Sequence, residues 1–397
     1  MPVQKHPAFA PEQIAAMDAA HAQWRKRSNR PVAVFLGAGA SKTFGYPLTR
    51  DLMFQIFRGL KCGRLLGSRS ESAPRQELQT FLGELLPGER LSKNKVPMVT
   101  GVLSLLDFAI ATGQALLPGR TVTDTRRARS LLERAIIEII PDFVDFSASE
   151  ASEFESFCEW LSHLKARRPR GGLGFITTNY DMLSDTAAMQ IAGVTWNRHR
   201  WNLPDLSRKV DFGFRWVRPD LKTESFVSRP ATPEVSLLKL HGSTNWLHCP
   251  LCENVYINPH GPIAWIASYE KSTASNQCHY SETRLEAQIV SPSFVREMRE
   301  PNLVSVWKTT LEFLREANHW IIIGYSFPDE DVGIRALFTR AFNSSSRQPS
   351  ITVIQLNDDA RLNYESFFPS GSVRYVTGGL GLLLQRWSAR DGTRRLA

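Results

Sequence analysis

The stretch Pro31–Ser41, PVAVFLGAGAS, decides the fold. Its apolar part, Val32–Leu36, is typical of a buried parallel strand, and a helical pattern resumes at Leu48. A glycine turn between a strand and a helix lets a phosphate approach bare backbone and face the positive end of the helix dipole. The usual dinucleotide fingerprint is not matched, because Lys42 stands where a third glycine is expected. Taken alone, the motif also fits a tight turn without a ligand.

Four later apolar runs also end in small or polar residues. These runs and the residues that follow them are Gly174–Thr177 before Thr178-Asn179-Tyr180-Asp181, Val235–Leu240 before His241-Gly242-Ser243, Trp320–Ile323 before Gly324-Tyr325-Ser326, and Ile351–Leu356 before Asn357. Helical patterns separate most of them, which predicts an α/β fold with a Rossmann-like, doubly wound parallel sheet. Ligands of such sheets bind at the carboxyl ends of the strands, so all five segments are expected at one edge.

Composition and charge limit the classes of protein to which the chain can belong. The 397 residues are 42% hydrophobic, ample for a buried core, and no apolar run is long enough to span a membrane. The N-terminus lacks the apolar core of a signal peptide, so a cytoplasmic location is expected. The net charge of +9 raises the prospect of a nucleic-acid or acidic-protein partner. Its basic runs contain no known nucleic-acid motif, so a solvated surface is favoured and direct nucleic-acid contact stays open.

The chain is expected to be one α/β domain with additions. A helix within residues 1–30 precedes the domain, which spans 31–397. Within it we expect a helical insertion at about 48–170 and an irregular insertion at about 185–234. A small β module is expected at about 245–300, where the sequence carries CPLC and several turn residues.

The blocks GAGAS, TTNYD, LHGS and GYS, in this order, resemble the sirtuin-type NAD-binding fold. They look closest to its bacterial branch of NAD-cleaving defence proteins. By this resemblance a pyrophosphate cradle is implied for Gly37, Ala38, Gly39 and Ser41. Thr178, Asn179 and Asp181 match the block beside the nicotinamide ribose, and His241 matches the catalytic histidine. Gly324 and Ser326 match the later Gly-x-Ser block, and Asn357 matches the strand-end residue that contacts the adenosine ribose.

The chemistry of NAD cleavage suits these residue types. Nicotinamide leaves as a neutral ring, so its departure needs no general acid. The Asn179 amide can fix a water or a ribose hydroxyl by directed hydrogen bonds, and a neutral His241 can take a proton from it. Each residue also has a structural interpretation: the histidine as a turn residue, the asparagine as a turn or helix cap, and Asp181 as a cap of the following helix.

Departures from the deacylase pattern point to water as the acceptor. The Asp-Phe-Arg element expected after Pro47 is missing, and Ser243-Thr244-Asn245-Trp246 stands where an acetyl-peptide-binding element would follow the catalytic block. We therefore expect an NAD+ glycohydrolase that acts as an effector of bacterial antiviral defence by depleting NAD. The alternatives are an NAD-dependent protein deacylase or ADP-ribosyltransferase, a non-catalytic sensor of NAD derivatives, and a nucleic-acid-binding protein that uses the fold as a scaffold.

Two further expectations concern partners and metal. An NADase needs control, so we expect a homo-oligomer and a separate activator, for which the resemblance suggests a HerA-type ATPase or an Argonaute. Residues 48–170 and 194–218 are the surfaces expected to make these contacts. Cys249-x-x-Cys252 resembles half of a zinc ribbon, with Cys278 as a third candidate ligand. The chain has five cysteines in all, too few for a disulfide framework. A zinc site of these three with a histidine (His248, His260 or His279) is the alternative, and a metal-free relic of the ribbon, held by ordinary packing, is favoured.

Overall fold

The computed structural model describes residues 9–67, 72–87, 96–140, 147–169, 171–197, 200–218, 226–268, 276–290 and 300–392. Both ends of the predicted domain layout, 1–8 and 393–397, lie outside these ranges. The strands are β1 Val32–Leu36, β2 Leu173–Thr177, β3 Trp196–Asn197, β4 Arg200–Trp201, β5 Val210–Asp211, β6 Trp216–Val217, β7 Phe226–Val227, β8 Val235–Lys239, β9 Gly242–His248, β10 Val255–Ile257, β11 Glu286–Ile289, β12 His319–Ile323, β13 Ser350–Gln355 and β14 Val373–Thr377.

Within these ranges, thirteen α-helices connect or flank the strands. They are α1 Pro11–Trp24, α2 Ala38–Lys42, α3 Thr49–Lys61, α4 Ala73–Leu85, α5 Val99–Thr112, α6 Val122–Ile139, α7 Ala148–Lys165, α8 Leu183–Ile191, α9 Leu203–Lys209, α10 Pro301–Glu316, α11 Val332–Ser344, α12 Arg361–Glu365 and α13 Gly379–Gly392, with a 3₁₀ helix at Ala264–Ser268. In the part of the chain that the structure describes, no helix is long and apolar enough to cross a membrane.

The main sheet has seven parallel strands in the order β14-β13-β12-β1-β2-β8-β5. The chain runs from β1 outward through β2 and β8 on one side, then returns to add β12, β13 and β14 on the other. This reversal makes the sheet doubly wound, with its switch point between β1 and β12. The predicted fold class is confirmed, and the five predicted strands are the five adjacent positions β13-β12-β1-β2-β8.

Burial explains why these segments form strands. Every residue of β1, β2, β8 and β12 is buried, as expected for parallel strands covered by helices on both faces. Helix α13 packs against α1 and α7, α7 also packs against α8, and α10 packs against α11. The strands end together at one edge, here called the carboxyl edge, while their first residues define the opposite amino edge.

Two smaller units have hydrophobic cores of their own. Helices α3 to α6 enclose a separate hydrophobic core that includes Met53, Leu82, Leu103 and Leu132, whereas α7 belongs to the main core through Phe157 and Trp160. A second sheet has the order β11-β9-β10-β6-β7. Its own small core contains Cys249 and Cys278 among other buried side chains.

Candidate active site

The glycine turn after β1 packs directly on the end of β12. Gly37 N–H donates to Ile323 O at 2.9 Å, and Gly39 N–H donates to Gly324 O at 2.8 Å. A Cβ atom on Gly37 would lie 2.6 Å from Gly324 O, and one on Gly39 2.8 Å from Gly324 Cα. The glycines are therefore required for close approach of two strand ends at the switch point. Two of the backbone amides predicted to face a phosphate are engaged in this packing.

Asn179 joins the end of β2 to the glycine turn. Its Nδ2 donates to Gly37 O at 2.9 Å and to Ser41 Oγ at 2.9 Å, and its N–H donates to Thr177 Oγ1 at 3.0 Å. Gly37 O can only accept, so this contact fixes which end of the amide is nitrogen. Both amide hydrogens are used within the protein. The Oδ1 atom is thus the group through which the half-buried Asn179 can accept a hydrogen bond from a ligand.

Asp181 continues this network and begins the next helix. The Ser41 side chain acts to lower the pKa of the Asp181 carboxylate, so Ser41 connects Asn179 with Asp181. Asp181 Oδ1 also accepts from Leu183 N–H at 3.0 Å at the start of α8. Burial raises the pKa of Asp181, and the nearby charge of Lys239 opposes that rise. The structure thus holds Asp181 at the carboxyl edge, one residue before the N-cap Met182 of α8.

Lys239 is a buried cation at this edge that sequence analysis missed. Its Nζ lies 2.6 Å from Asp185 Oδ2, and the two side chains are 0% and 1% exposed. The same ammonium donates to Asp181 O. Asn245 Nδ2 donates to the other Asp185 oxygen at 3.1 Å. The sequence signal was a single lysine within VSLLKL. This largely apolar run is typical of a buried strand, where an unpaired cation is not expected.

His241 is buried just beyond β8 between two aromatic rings. Its ring centroid is 6.5 Å from that of Tyr180 and 6.4 Å from that of Trp307. Its backbone is fixed as well, because Val290 N–H donates to His241 O at 2.9 Å. Tyr180 OH donates to Val290 O at 2.6 Å, so the same segment supports both rings.

Gly242, next to the histidine, is a position that only glycine can fill. Its φ is +77°, and a Cβ there would lie 1.9 Å from Gln288 O. The backbone of the His-Gly block therefore rests on the end of β11. This contact sets where the histidine ring stands relative to β8.

The remaining predicted residues lie at the same edge. Thr178 is half-buried, whereas Ser326 and Asn357 are exposed beyond β12 and β13. Ser326 O accepts from Asn363 Nδ2 at 2.9 Å, and Asn357 Nδ2 donates to Asp359 Oδ2 at 2.8 Å. The structure thus joins Gly37, Ser41 and Asn179 by direct hydrogen bonds, with Asp181 next to Ser41. Ser326 and Asn357 are not part of this set and lie exposed beyond β12 and β13.

The three cysteines of the β module cluster together. Cys249, Cys252 and Cys278 have sulfur atoms within 4.8 Å of one another, and the Cys252 and Cys278 sulfurs are 3.4 Å apart. Burial disfavours the Cys278 thiolate, but hydrogen bonds from Ser281 and Tyr256 outweigh it and lower the pKa of Cys278 to about 6. Three thiols at this spacing fit three corners of a zinc tetrahedron. Among the described residues no fourth histidine, cysteine or carboxylate joins the group.

Comparisons with known proteins find only distant likeness. No protein-family model matches the chain, and no curated protein matches it. Its neighbours among solved structures include Sir2 enzymes. A Sir2 complex with a p53 peptide and NAD+ is 12% identical with a TM-score of 0.42, covering 97% of this chain and 100% of that one. A complex of a mutant Sir2 homologue with ADP-ribose is 13% identical with a TM-score of 0.40, covering 97% and 98%. Likeness at this level identifies no family, and the fold class rests on the sheet itself.

Proposed function

We propose that the chain binds NAD+ at the carboxyl edge and hydrolyses it to nicotinamide and ADP-ribose. The observation that carries the proposal is the hydrogen-bonded set Gly37, Ser41 and Asn179, with Asp181 beside it, built from two adjacent strand ends beside the switch point. Switch points of doubly wound sheets are where nucleotides bind. The resemblance of the motifs to sirtuins supplies the choice of NAD among nucleotides.

Each group has a distinct part in the proposed reaction. Asn179 Oδ1 accepts a hydrogen bond from a ribose hydroxyl or from the attacking water, because both hydrogens of its amide are engaged. His241 takes the proton as the new bond to the anomeric carbon forms and the bond to the nicotinamide nitrogen breaks. Ala38 N–H, at the first position of α2, is the turn amide proposed to meet a phosphate oxygen, since Gly37 and Gly39 are engaged elsewhere.

The test is to incubate purified protein with NAD+ and to quantify nicotinamide and ADP-ribose. We expect Asn179→Ala and His241→Ala to lower the rate on the order of 10²-fold or more. Asn343→Ala, an exposed asparagine on α11, is the matched control and should retain full activity. Circular dichroism of each variant separates loss of chemistry from loss of fold. Full activity in both site variants would refute the mechanism.

The same assay decides between the alternatives. Turnover that requires an acylated peptide or a protein acceptor would indicate a deacylase or an ADP-ribosyltransferase. Saturable binding without turnover would indicate a sensor of NAD or its derivatives. The proposed role as an effector of antiviral defence predicts that NAD falls in phage-infected cells that carry the protein. A HerA-type ATPase or an Argonaute remains the proposed activator, and its addition should raise the rate.

We further propose that the protein self-associates through α5. Met98, Leu105 and Phe108 are 53%, 48% and 61% exposed, and Gly101 between them faces open space. Their spacing alternates between three and four residues, the pattern of a seam between two helices. Light scattering should show an oligomer that Leu105→Glu with Phe108→Glu disrupts. Leu251→Glu, at a position that is 70% exposed, is the matched control. A monomeric wild type would refute the proposal.

A further inference from the structure

Four connections at the amino edge form one surface. The connection 25–31 leads into β1, 166–169 leads toward β2, and 345–349 leads into β13, while 315–318, counted here with the last two residues of α10, leads into β12. Because β1, β2, β12 and β13 occupy four adjacent positions of the sheet, the connections lie side by side. We call this surface the basic edge. Strands of five residues place it about 15 Å from the candidate active site.

Hydrogen bonds hold the basic edge together. Arg168 Nη1 donates to Lys26 O at 2.9 Å, and Ser28 N–H donates to Arg167 O at 3.3 Å. Asn318 Nδ2 donates to Ser28 Oγ at 2.9 Å, which adds the third connection. The fourth connection is joined where β13 begins, because Ser350 N–H donates to Asn318 O at 2.9 Å. The surface is therefore preorganised rather than a set of independent loops.

The charge of this surface is mostly positive. Every charged residue of the four connections is basic except Glu316. Within the described parts of the chain, five of these cations have no carboxylate partner: Lys26, Arg27, Arg30, Arg315 and Arg347. Elsewhere many cations are paired, as Arg386 is with Asp18. A large part of the net charge of +9 is thus unneutralised at one edge.

A depression lies between two of these cations. It has a volume of about 280 Å³ and is lined by Arg30 and Arg347 together with Ser28, Asn318 and Gln348. Hydroxyl and amide groups beside two guanidinium groups are the donors that bind phosphate oxygens. His319 also lines it, and its Nδ1 is buried without a hydrogen-bond partner. The depression can therefore seat one phosphate of a longer polyanion that runs along the edge.

We propose that the basic edge binds the phosphate backbone of double-stranded nucleic acid. None of the four connections contains an aromatic residue, so the platforms on which successive unpaired bases usually stack are lacking, and a single strand is disfavoured. Among the described residues no large exposed apolar side chain lies there, which disfavours a membrane surface. Contacts made by arginine and lysine to phosphates carry no sequence preference. This binding is independent of the proposed chemistry at the opposite edge.

The test measures binding of a fluorescein-labelled 20-base-pair DNA duplex by anisotropy over a range of salt concentrations. The edge variant is Lys26→Glu with Arg27→Glu and Arg347→Glu, all at exposed positions. The control variant, Arg58→Glu with Lys61→Glu and Arg126→Glu, changes the charge equally on exposed parts of α3 and α6. We expect the edge variant to bind roughly 10-fold more weakly or worse, with a salt slope lower by about 3. The control variant should stay within about 2-fold of wild type.

Each other outcome overturns the proposal. Equal weakening in both variants would show that net charge alone attracts DNA. No binding by the wild type at 50 mM salt, or tighter binding of the single strand than of the duplex, would exclude a duplex site. Equal competition by polyglutamate at matched charge would assign the edge to an acidic protein, and preferential binding to phosphatidylserine vesicles would assign it to a membrane. NAD+ turnover by the edge variant is measured in parallel, so failure of the proposed hydrolase activity is a separate result.

Discussion

Replacing Lys239 with methionine should be among the most destabilising single changes at the carboxyl edge. The ammonium is fully buried 2.6 Å from Asp185, so its removal leaves a carboxylate without its counter-charge in the interior. Breaking a buried pair in this way costs about 3–5 kcal/mol, against a total stability of about 5–15 kcal/mol. Asp181 O loses a donor in the same step. Loss of the charge also raises the pKa of Asp181 further, because Lys239 now lowers it.

Urea unfolding followed by circular dichroism and tryptophan fluorescence measures this change. Lys209→Met is the matched control, because Lys209 pairs with Asp205 at the surface, 3.7 Å away, and such a pair contributes about 0–1 kcal/mol. The double variant Lys239→Met with Asp185→Leu removes both buried charges and should be closer to wild type than Lys239→Met alone. A loss below about 1 kcal/mol in the single variant, or a double variant that loses the sum of both single changes, would refute the reasoning.

Two further predictions concern pH and metal. Burial, with a smaller contribution from Arg168, lowers the pKa of His319 to about 4 from an ordinary value near 6.5. Between these two pH values the imidazole takes up a proton in the unfolded chain but not in the folded one. Up to about 3 kcal/mol of stability is therefore lost as pH falls from 6.5 to 4. In His319→Asn, the urea concentration at the unfolding midpoint should depend less on pH over this range. For the cysteine cluster, we expect mass spectrometry of the purified native protein to show a folded, zinc-free chain. One equivalent of zinc that disappears in Cys249→Ser would contradict this expectation.

The sequence was most informative where strands are buried on both faces. Continuous apolar runs such as VAVFL and WIII, each ending in small or polar residues, predicted the central strands and their common edge. β14 was missed because the run VRYVT interleaves Arg374 and Tyr375 with valines, as befits an edge strand. β5 has only two residues, too few for any pattern.

The candidate site was predictable only in part for a related reason. Motifs that follow strands identified Asn179 and His241 because each sits beside its own strand. The buried pair of Lys239 and Asp185 joins residues 54 apart in the chain, and no local pattern reports such a contact. The glycine turn is a feature whose position the sequence predicted but whose contact it did not. Glycine marks close backbone approach, but the sequence does not say whether the approaching group is a phosphate or, as observed, the backbone at Gly324.

The separate core of α3 to α6 has a consequence for how the chain folds. β1 and β2 are neighbours in the sheet, yet residues 37–172 lie between them. Pairing two strands across so long a segment is entropically costly and slow. A helical unit with its own core can form first from local contacts and reduce the length of flexible chain that must close. The central strand pair would then assemble after the insertion, so that damage to the core around Leu103 and Leu132 slows folding of a sheet whose own core is separate.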